Sequence, residues 1–434
     1  MKRVLLLLTV LATLCTCAWA QVGQQLPNNG FEQWTTETWT TKVLWSTTTH
    51  TADVPTNWHS INMATGSLVG TARDEGFVTK STDKHNGSYS VKLTTISKVI
   101  ATANGSLTSG RFNAGSTSAS APSNCTYTST ESGYNTAITS YPDSVYIWAK
   151  TKSTDFSAHM RLVLHNNTVA SNNAIYQDPN PSSSDAGIVE TTAAVNQAKV
   201  VATATNSSIS STAWTQIKVP FIYTSNNTTP SYMLVTLSTN ATAGGGSSGD
   251  WVLFDDIVLI YNTRLASLTI NGQGLSNFNP NTTSYTYHEI SAAELASLNI
   301  AAICQSAHAS ATVTHTPTVG EPYATIRVAH LNQESTVYRD YTIQFPIATP
   351  CETTYGVDEK TACGSFAWYG TTYTQSTNTP TYTLQNAAGC DSVVTLHLTI
   401  NNPQHTAVTV EKCGSYTWTD GNGQTYTQDR KSVV

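Results

Sequence analysis

From Gln21 to Tyr261 apolar residues never settle into the three-to-four spacing of a helix face; they come in short alternating runs separated by polar, turn-rich stretches. A period of two is the pattern of a strand that buries one face. The runs that satisfy it are Ser88 to Ile96, Ser144 to Thr151, His159 to His165, Trp214 to Tyr223, Tyr232 to Ser238 and Trp251 to Tyr261. Many short strands joined by long polar loops predict an all-β fold, an antiparallel sandwich or jelly roll. Composition agrees, since only 11% of residues are charged and the aromatics are mostly Tyr and Trp, which suit half-exposed strand positions.

The run Trp251-Val252-Leu253-Phe254-Asp255-Asp256-Ile257-Val258-Leu259 places two adjacent carboxylates inside an apolar strand. Strict alternation sends them to opposite faces: Asp255 with Trp251, Leu253, Ile257 and Leu259, and Asp256 with Val252, Phe254, Val258 and Ile260. Both faces are apolar, so at least one carboxylate is expected to be shielded from water. A buried carboxylate needs a donor or a cation. The plainer alternative is an Asp pair at a frayed strand end.

Beyond Tyr261 the pattern changes twice. Residues from about Thr263 to Phe345 open with Leu265 to Ile270 followed by the turn pair Asn271-Gly272, and close with Tyr338 to Phe345, predicting a small all-β domain. The third region holds an internal repeat. Ala362-Cys363-Gly364-Ser365-Phe366-Ala367-Trp368 returns as Lys412-Cys413-Gly414-Ser415-Tyr416-Thr417-Trp418, a period of 50 from 413 minus 363. The second copy stops before the strand that Ser392 to Ile400 supplies in the first, so it reads as truncated.

Residues 1–20 carry Lys2 and Arg3, an apolar core from Val4 to Leu14, and Ala18-Trp19-Ala20 before Gln21, the layout of a secretory signal. Loss of Lys2 and Arg3 takes the formal net charge from −6 to −8. No basic run exists to meet phosphates, which argues against nucleic acid. No later segment is long and apolar enough to span a membrane. Of the 8 cysteines, Cys125 and Cys304 stand alone as candidate buried thiols, while Cys351, Cys363, Cys390 and Cys413 cluster. Export permits disulfides. Cys363 and Cys390 could close one loop, although other pairings stay open.

Catalytic signatures are sparse. The sequence contains neither H-E-x-x-H nor a phosphate-binding glycine loop. Gly245 to Gly249 fits G-x-S-x-G in letters, but it precedes a strand where the nucleophile elbow needs a strand-to-helix turn. The stronger constellation joins the two ends of the first domain. An antiparallel sandwich can pair its first and last segments, bringing Glu32 of Asn28-Asn29-Gly30-Phe31-Glu32 near Asp255 or Asp256. Calcium would suit these three oxygen ligands, with carbonyls from His85-Asn86-Gly87 completing its shell; the alternative is a solvated Glu32. Trp148, Tyr146 and Trp58 are the candidate sugar-stacking residues, weighed against a core role for each.

Asn28 to Trp34, Asn104 to Phe112, Pro142 to Lys152 and Trp214 to Phe221 through Asp256 resemble the carbohydrate metabolism domain of bacterial surface proteins, a jelly roll shaped like carbohydrate-binding modules. The resemblance covers residues 21–262. Residues 263–346 are similar to a bacterial cadherin-like β-sandwich, and residues 351–401 to Cys-containing repeats of exported proteins, with 402–434 a partial second copy. The resemblance implies a secreted or cell-surface protein that binds polysaccharide or another glycan on a jelly roll carried by β-sandwich spacers. A glycoside-active enzyme on the same scaffold and a structural adhesin are the alternatives.

Overall fold

The computed structural model describes residues 23–427, except 44, 98–101, 169–173, 182–187, 189–191, 226–227, 349–351, 388, 404–408 and 421–422. The expected signal, residues 1–20, and Cys351 lie outside the described residues. The chain is all-β, as its alternation predicts, and divides into two compact units, 1–346 and 347–434.

Two five-stranded sheets face each other in residues 23–262. The front sheet runs in the order Thr215–Pro220, Ser144–Thr151, Trp251–Ile260, Ser90–Thr94, Val78–Ser81. The back sheet runs Ile222–Tyr223, Val200–Ile209, Ala158–His165, Tyr232–Ser238, Ser106–Thr108. Val145, Ile147, Val91, Leu93, Val252 and Phe254 pack from the front against Met160, Leu162, Leu164, Val235 and Leu237 from the back. The strands expected from alternation are present with small shifts of boundary; the first, for example, is Ser90–Thr94.

A third, three-stranded sheet of Ala174–Asp178, Asn124–Ser129 and Arg111–Ala114 makes a further layer. Along Ala158–His165, alternate residues Met160, Leu162 and Leu164 enter the main core, so His159, Arg161, Val163 and His165 point to the opposite face. Val163 and Leu234 of that face are buried with Tyr176 of the third sheet, and the His165 ring stacks on Tyr176 at 4.9 Å. The third sheet therefore covers one half of the back sheet. The half that carries His159 and Arg161 stays open.

The last front-sheet strand does not alternate throughout. Val252 and Phe254 face the core, and so do Ile257 and Leu259, a change of parity that requires one extra residue. Its pairing with Ser144–Thr151 slips at the same point: Trp148 opposes Asp255 whereas Tyr146 opposes Val258. The extra residue is Asp256, at a left-handed φ of 45° that Asp tolerates better than most residues. The bulge also changes the strand's partner. Residues 251–254 pair with Ser90–Thr94, while beyond the bulge Ile257 N–H donates to Asn29 O (2.8 Å) and Leu259 N–H to Gln25 Oε1 (2.8 Å). First and last segments of the domain thus meet, as expected.

Residues 263–346 form a second sandwich, with sheets led by Leu265–Ile270 beside Ile300–Cys304 and by Tyr323–His330 between Ala309–His315 and Tyr338–Gln344. Asp143 Oδ2 of the first sandwich accepts from Asn262 N–H (2.6 Å) and lies 3.1 Å from Nε2 of the fully buried His330. His308 stacks on Tyr141 at 5.0 Å and packs against Tyr223 at 4.0 Å. These contacts dock one sandwich on the other.

In the second unit Thr354–Cys363 runs parallel to Asp391–Asn401, which pairs antiparallel with Thr381–Gln385, and Trp368 packs on Leu396, Leu398 and Ile400. The hairpin Phe366–Trp368/Thr371–Tyr373 recurs as Tyr416–Thr417/Thr425–Tyr426, so the sequence repeat folds as a repeat. Cys363 is an exposed free thiol, which removes the loop from Cys363 to Cys390. Cys125 is buried and Cys304 half-buried, as expected of isolated cysteines, and burial pushes the Cys304 thiol upward.

Candidate functional site

The three carboxylates singled out as a calcium site converge on one loop, residues 85–89. The bulge is the cause, because it turns both Asp255 and Asp256 toward the loop on the outer face of the front sheet, where strict alternation would have parted them. Asp255 is fully buried. Its Oδ2 accepts from His85 N–H (2.9 Å) and Asn86 N–H (3.3 Å), and its Oδ1 from Asp256 N–H (2.9 Å). Asp256 Oδ2 lies 2.8 Å from His85 Nδ1. Both oxygens of Glu32 accept from Ser88 N–H at 2.9 Å. Burial pushes the Asp255 carboxyl up to about 6, an effect the neighbouring Asp256 charge adds to and the backbone donors oppose.

The loop was expected to offer carbonyl oxygens to a cation, but it offers N–H groups. Backbone donors therefore supply the compensation that calcium was expected to supply. Among the described residues no group of three or more acids, histidines or cysteines is spaced to hold a metal. This donor set does not fit the expected cation. Gly87 is required at the apex: its φ is 64°, and an added Cβ would sit 1.9 Å from Glu32 Oε1.

The expected sugar-stacking residues are not brought together. Trp58 is 1% exposed, its ring 5.3 Å from Phe31 and its Nε1 donating to Pro27 O (3.2 Å); it is a core residue, because the turn after Pro55 folds it inward. Trp148 and Tyr146 do lie on the outer face of the front sheet, half-buried. One face of Trp148 is already occupied by the His85 ring, 3.6 Å away and inclined by 11°. Asp83 fastens the same loop across the sheet by accepting from Lys150 Nζ (2.7 Å) and Trp214 Nε1 (2.9 Å). Burial, reinforced by the Asp256 charge, raises the Tyr146 hydroxyl.

The open recess lies on the other side of the sandwich. A groove of about 650 Å³ runs over the uncovered half of the back sheet. Its polar wall is that sheet's outer face, with His159, Arg161, Thr205, Thr236 and Ser238. Ile61, Leu68, Phe112 and Ala114, from the 61–72 segment and the third sheet, supply apolar surface. Arg161 Nε donates to Asp178 Oδ2 (2.9 Å) and Nη1 to Thr205 Oγ1 (3.0 Å). Burial raises the Asp178 carboxyl, with Arg161 opposing the shift, and burial lowers the His159 imidazole to about 4, so it is neutral at physiological pH. A recess with apolar surface and a few fixed polar groups is the ordinary form of a small-ligand site. The signal missed in the sequence is the polar pair His159 and Arg161 at the outward positions of a strand whose inward positions are apolar. What made those positions a groove was the third sheet, whose placement no local pattern announces.

No protein-family model matches the chain, and no curated protein matches it. Solved structures similar to part of it include the TmCBM61 module in complex with β-1,4-galactotriose, at 10% identity over 54% of this chain and 96% of that one, TM-score 0.23. The K3 cleaved adhesin domain of Lys-gingipain from Porphyromonas gingivalis has 12% identity over 47% and 91%, TM-score 0.22. A protein described as sugar-binding from Bacteroides thetaiotaomicron has 11% identity over 47% and 86%, TM-score 0.24. Likeness at these TM-scores carries no argument about the ligand of this chain. No helix among the described residues is long and apolar enough to cross a membrane.

Proposed function

We propose that the chain is an exported, secreted or surface-held glycan-binding protein, and that its first sandwich holds carbohydrate in the groove over the back sheet. The observation that carries this reading is the groove's pair of unlike surfaces. Ile61, Leu68 and Phe112 offer apolar area to the C–H face of a sugar, while His159, Thr205, Thr236 and Ser238 offer hydrogen-bonding groups to its hydroxyls. The second sandwich, docked through Asp143 and His308, carries the site as a fixed base.

A glycoside-active enzyme needs two carboxyl groups flanking the scissile bond. Asp178 is the one carboxylate among the described lining residues, and Arg161 engages it. Binding without cleavage is therefore the better-supported reading. A glycan array probed with the full chain, with assay of released reducing sugar in the same incubations, tests it. Retention of a glycan without release supports binding; release establishes an enzyme; retention of none leaves a structural adhesin.

A further inference from the structure

The groove is rich in hydroxyl and amide groups yet carries formal charge in one place. Among its described lining residues Arg161 is the one cation and Asp178 the one carboxylate, and they are paired at 2.9 Å. Arg161 also donates through Nη1 to Thr205 Oγ1 and is hydrogen-bonded to Tyr176. His159, the other basic side chain in the lining, is held 3.1 Å from Ser207 Oγ through Nδ1. Ser106, Thr236, Ser238, Asn180 and Asn240 supply neutral polar groups around the pair.

An acidic sugar unit entering this groove must shed much of the hydration of its carboxylate or sulfate. In return it finds a cation whose charge is already neutralised by a half-buried carboxylate 2.9 Å away. The partial desolvation would not be repaid in full, because breaking the internal pair leaves the half-buried Asp178 carboxylate with the Tyr176 hydroxyl in place of a cation. A neutral sugar sheds only hydroxyl hydration and regains it from hydroxyls and amides of the same strength. Discrimination of this kind acts through repulsion of the wrong ligand as much as attraction of the right one.

We infer that the groove selects neutral glycans over acidic ones, and that Asp178, by holding Arg161, is the residue that sets this selectivity. The inference rests on the glycan-binding reading and adds a ligand class to it. It also gives the ion pair a role beyond packing: Asp178 withholds the cation that an acidic glycan would need.

Titration calorimetry of the full chain tests this with neutral gluco-, manno-, galacto- and xylo-oligosaccharides and with oligogalacturonides and sulfated oligosaccharides of matched length. A salt concentration of about 0.15 M screens the chain's overall negative charge beyond about 8 Å. At least one neutral series should bind, with the acidic series at least about tenfold weaker. Asp178→Asn should raise acidic affinity at least about tenfold by freeing Arg161. Should that variant fold poorly, Ala241→Lys, on an exposed part of the lining, introduces an unpaired cation and should produce the same gain. Acidic series binding the parent chain as tightly as neutral ones would overturn the selectivity and leave the glycan reading standing. No binding by either series would overturn the glycan reading itself.

Discussion

Asp256 reaches His85 across 171 residues of chain, its Oδ2 2.8 Å from the imidazole Nδ1. The contact exists because Asp256 is the extra residue of a bulge; without the bulge its side chain would follow the parity of Val252 and Phe254 into the core. Replacement by Ala removes the partner of His85 and places a side chain less tolerant of left-handed φ at the bulge. A loss of about 1–3 kcal/mol is expected in urea unfolding of the full chain. Asp256→Asn, which tolerates that φ, should lose less. Equal losses for the two would show that the left-handed backbone of the bulge places no demand on the residue at 256.

Gly87→Ala tests the loop from the other side. The new Cβ would collide with Glu32 Oε1 at an unfavourable positive φ, so Glu32 must give up the Ser88 N–H that its two oxygens share. The expected cost is again about 1–3 kcal/mol. It should shrink in the Glu32→Ala background, where the collision is gone, and a double-mutant cycle measures that coupling. A cycle that sums without coupling would contradict the clamp.

Asp255 gives a pH signature. Its folded carboxyl titrates near 6, above the ordinary value of 3.8, so between these limits the folded state holds a proton that the unfolded state has released. Stability from this group is therefore present at low pH and lost as pH rises from about 4 through about 6. His159 and His165, both lowered to about 4 by burial, act in the opposite sense, so the test is a difference. The stability of Asp255→Asn relative to the parent should climb across that window and level off above it. A pH-independent difference would show that Asp255 is not desolvated as described.

The backbone donors around Glu32 and Asp255 also bear on the metal. Chelation with EDTA should leave the melting temperature of the full chain unchanged, and added calcium should not raise it. A fall on chelation, reversed by calcium, would restore the cation that the acidic residues alone suggest.

Much of this architecture was legible in the sequence because half-buried strands advertise themselves. In Ser144–Thr151 the alternation is complete, and its core residues Val145, Ile147 and Ala149 are those that a period of two selects. The convergence of Glu32, Asp255 and Asp256 on one loop was legible too, from the tendency of first and last segments to pair. Alternation failed at Asp256, because a bulge is one residue's change of backbone and leaves the apolar pattern on either side intact. It also failed to separate Trp58 from Trp148. Trp58 lies in a turn and Trp148 in mid-strand, and which is core depends on distant partners such as Phe31 and His85. The groove was hidden for the same reason, since His159 and Arg161 become its wall only when the third sheet covers Val163 and leaves them open.

The central claim, that the groove over the back sheet holds glycan, is tested most directly by measuring the affinity of whichever glycan the array returns for three forms of the full chain. These are the parent, Ala119→Trp, which fills the groove from its lining loop, and Trp148→Ala, which alters the outer face of the opposite sheet. Ala119→Trp should lower affinity at least about tenfold with an unchanged melting temperature, and Trp148→Ala should leave affinity within about twofold of the parent. The reverse pattern, with binding lost at Trp148 and kept at Ala119, would place the glycan on the front sheet and contradict the groove.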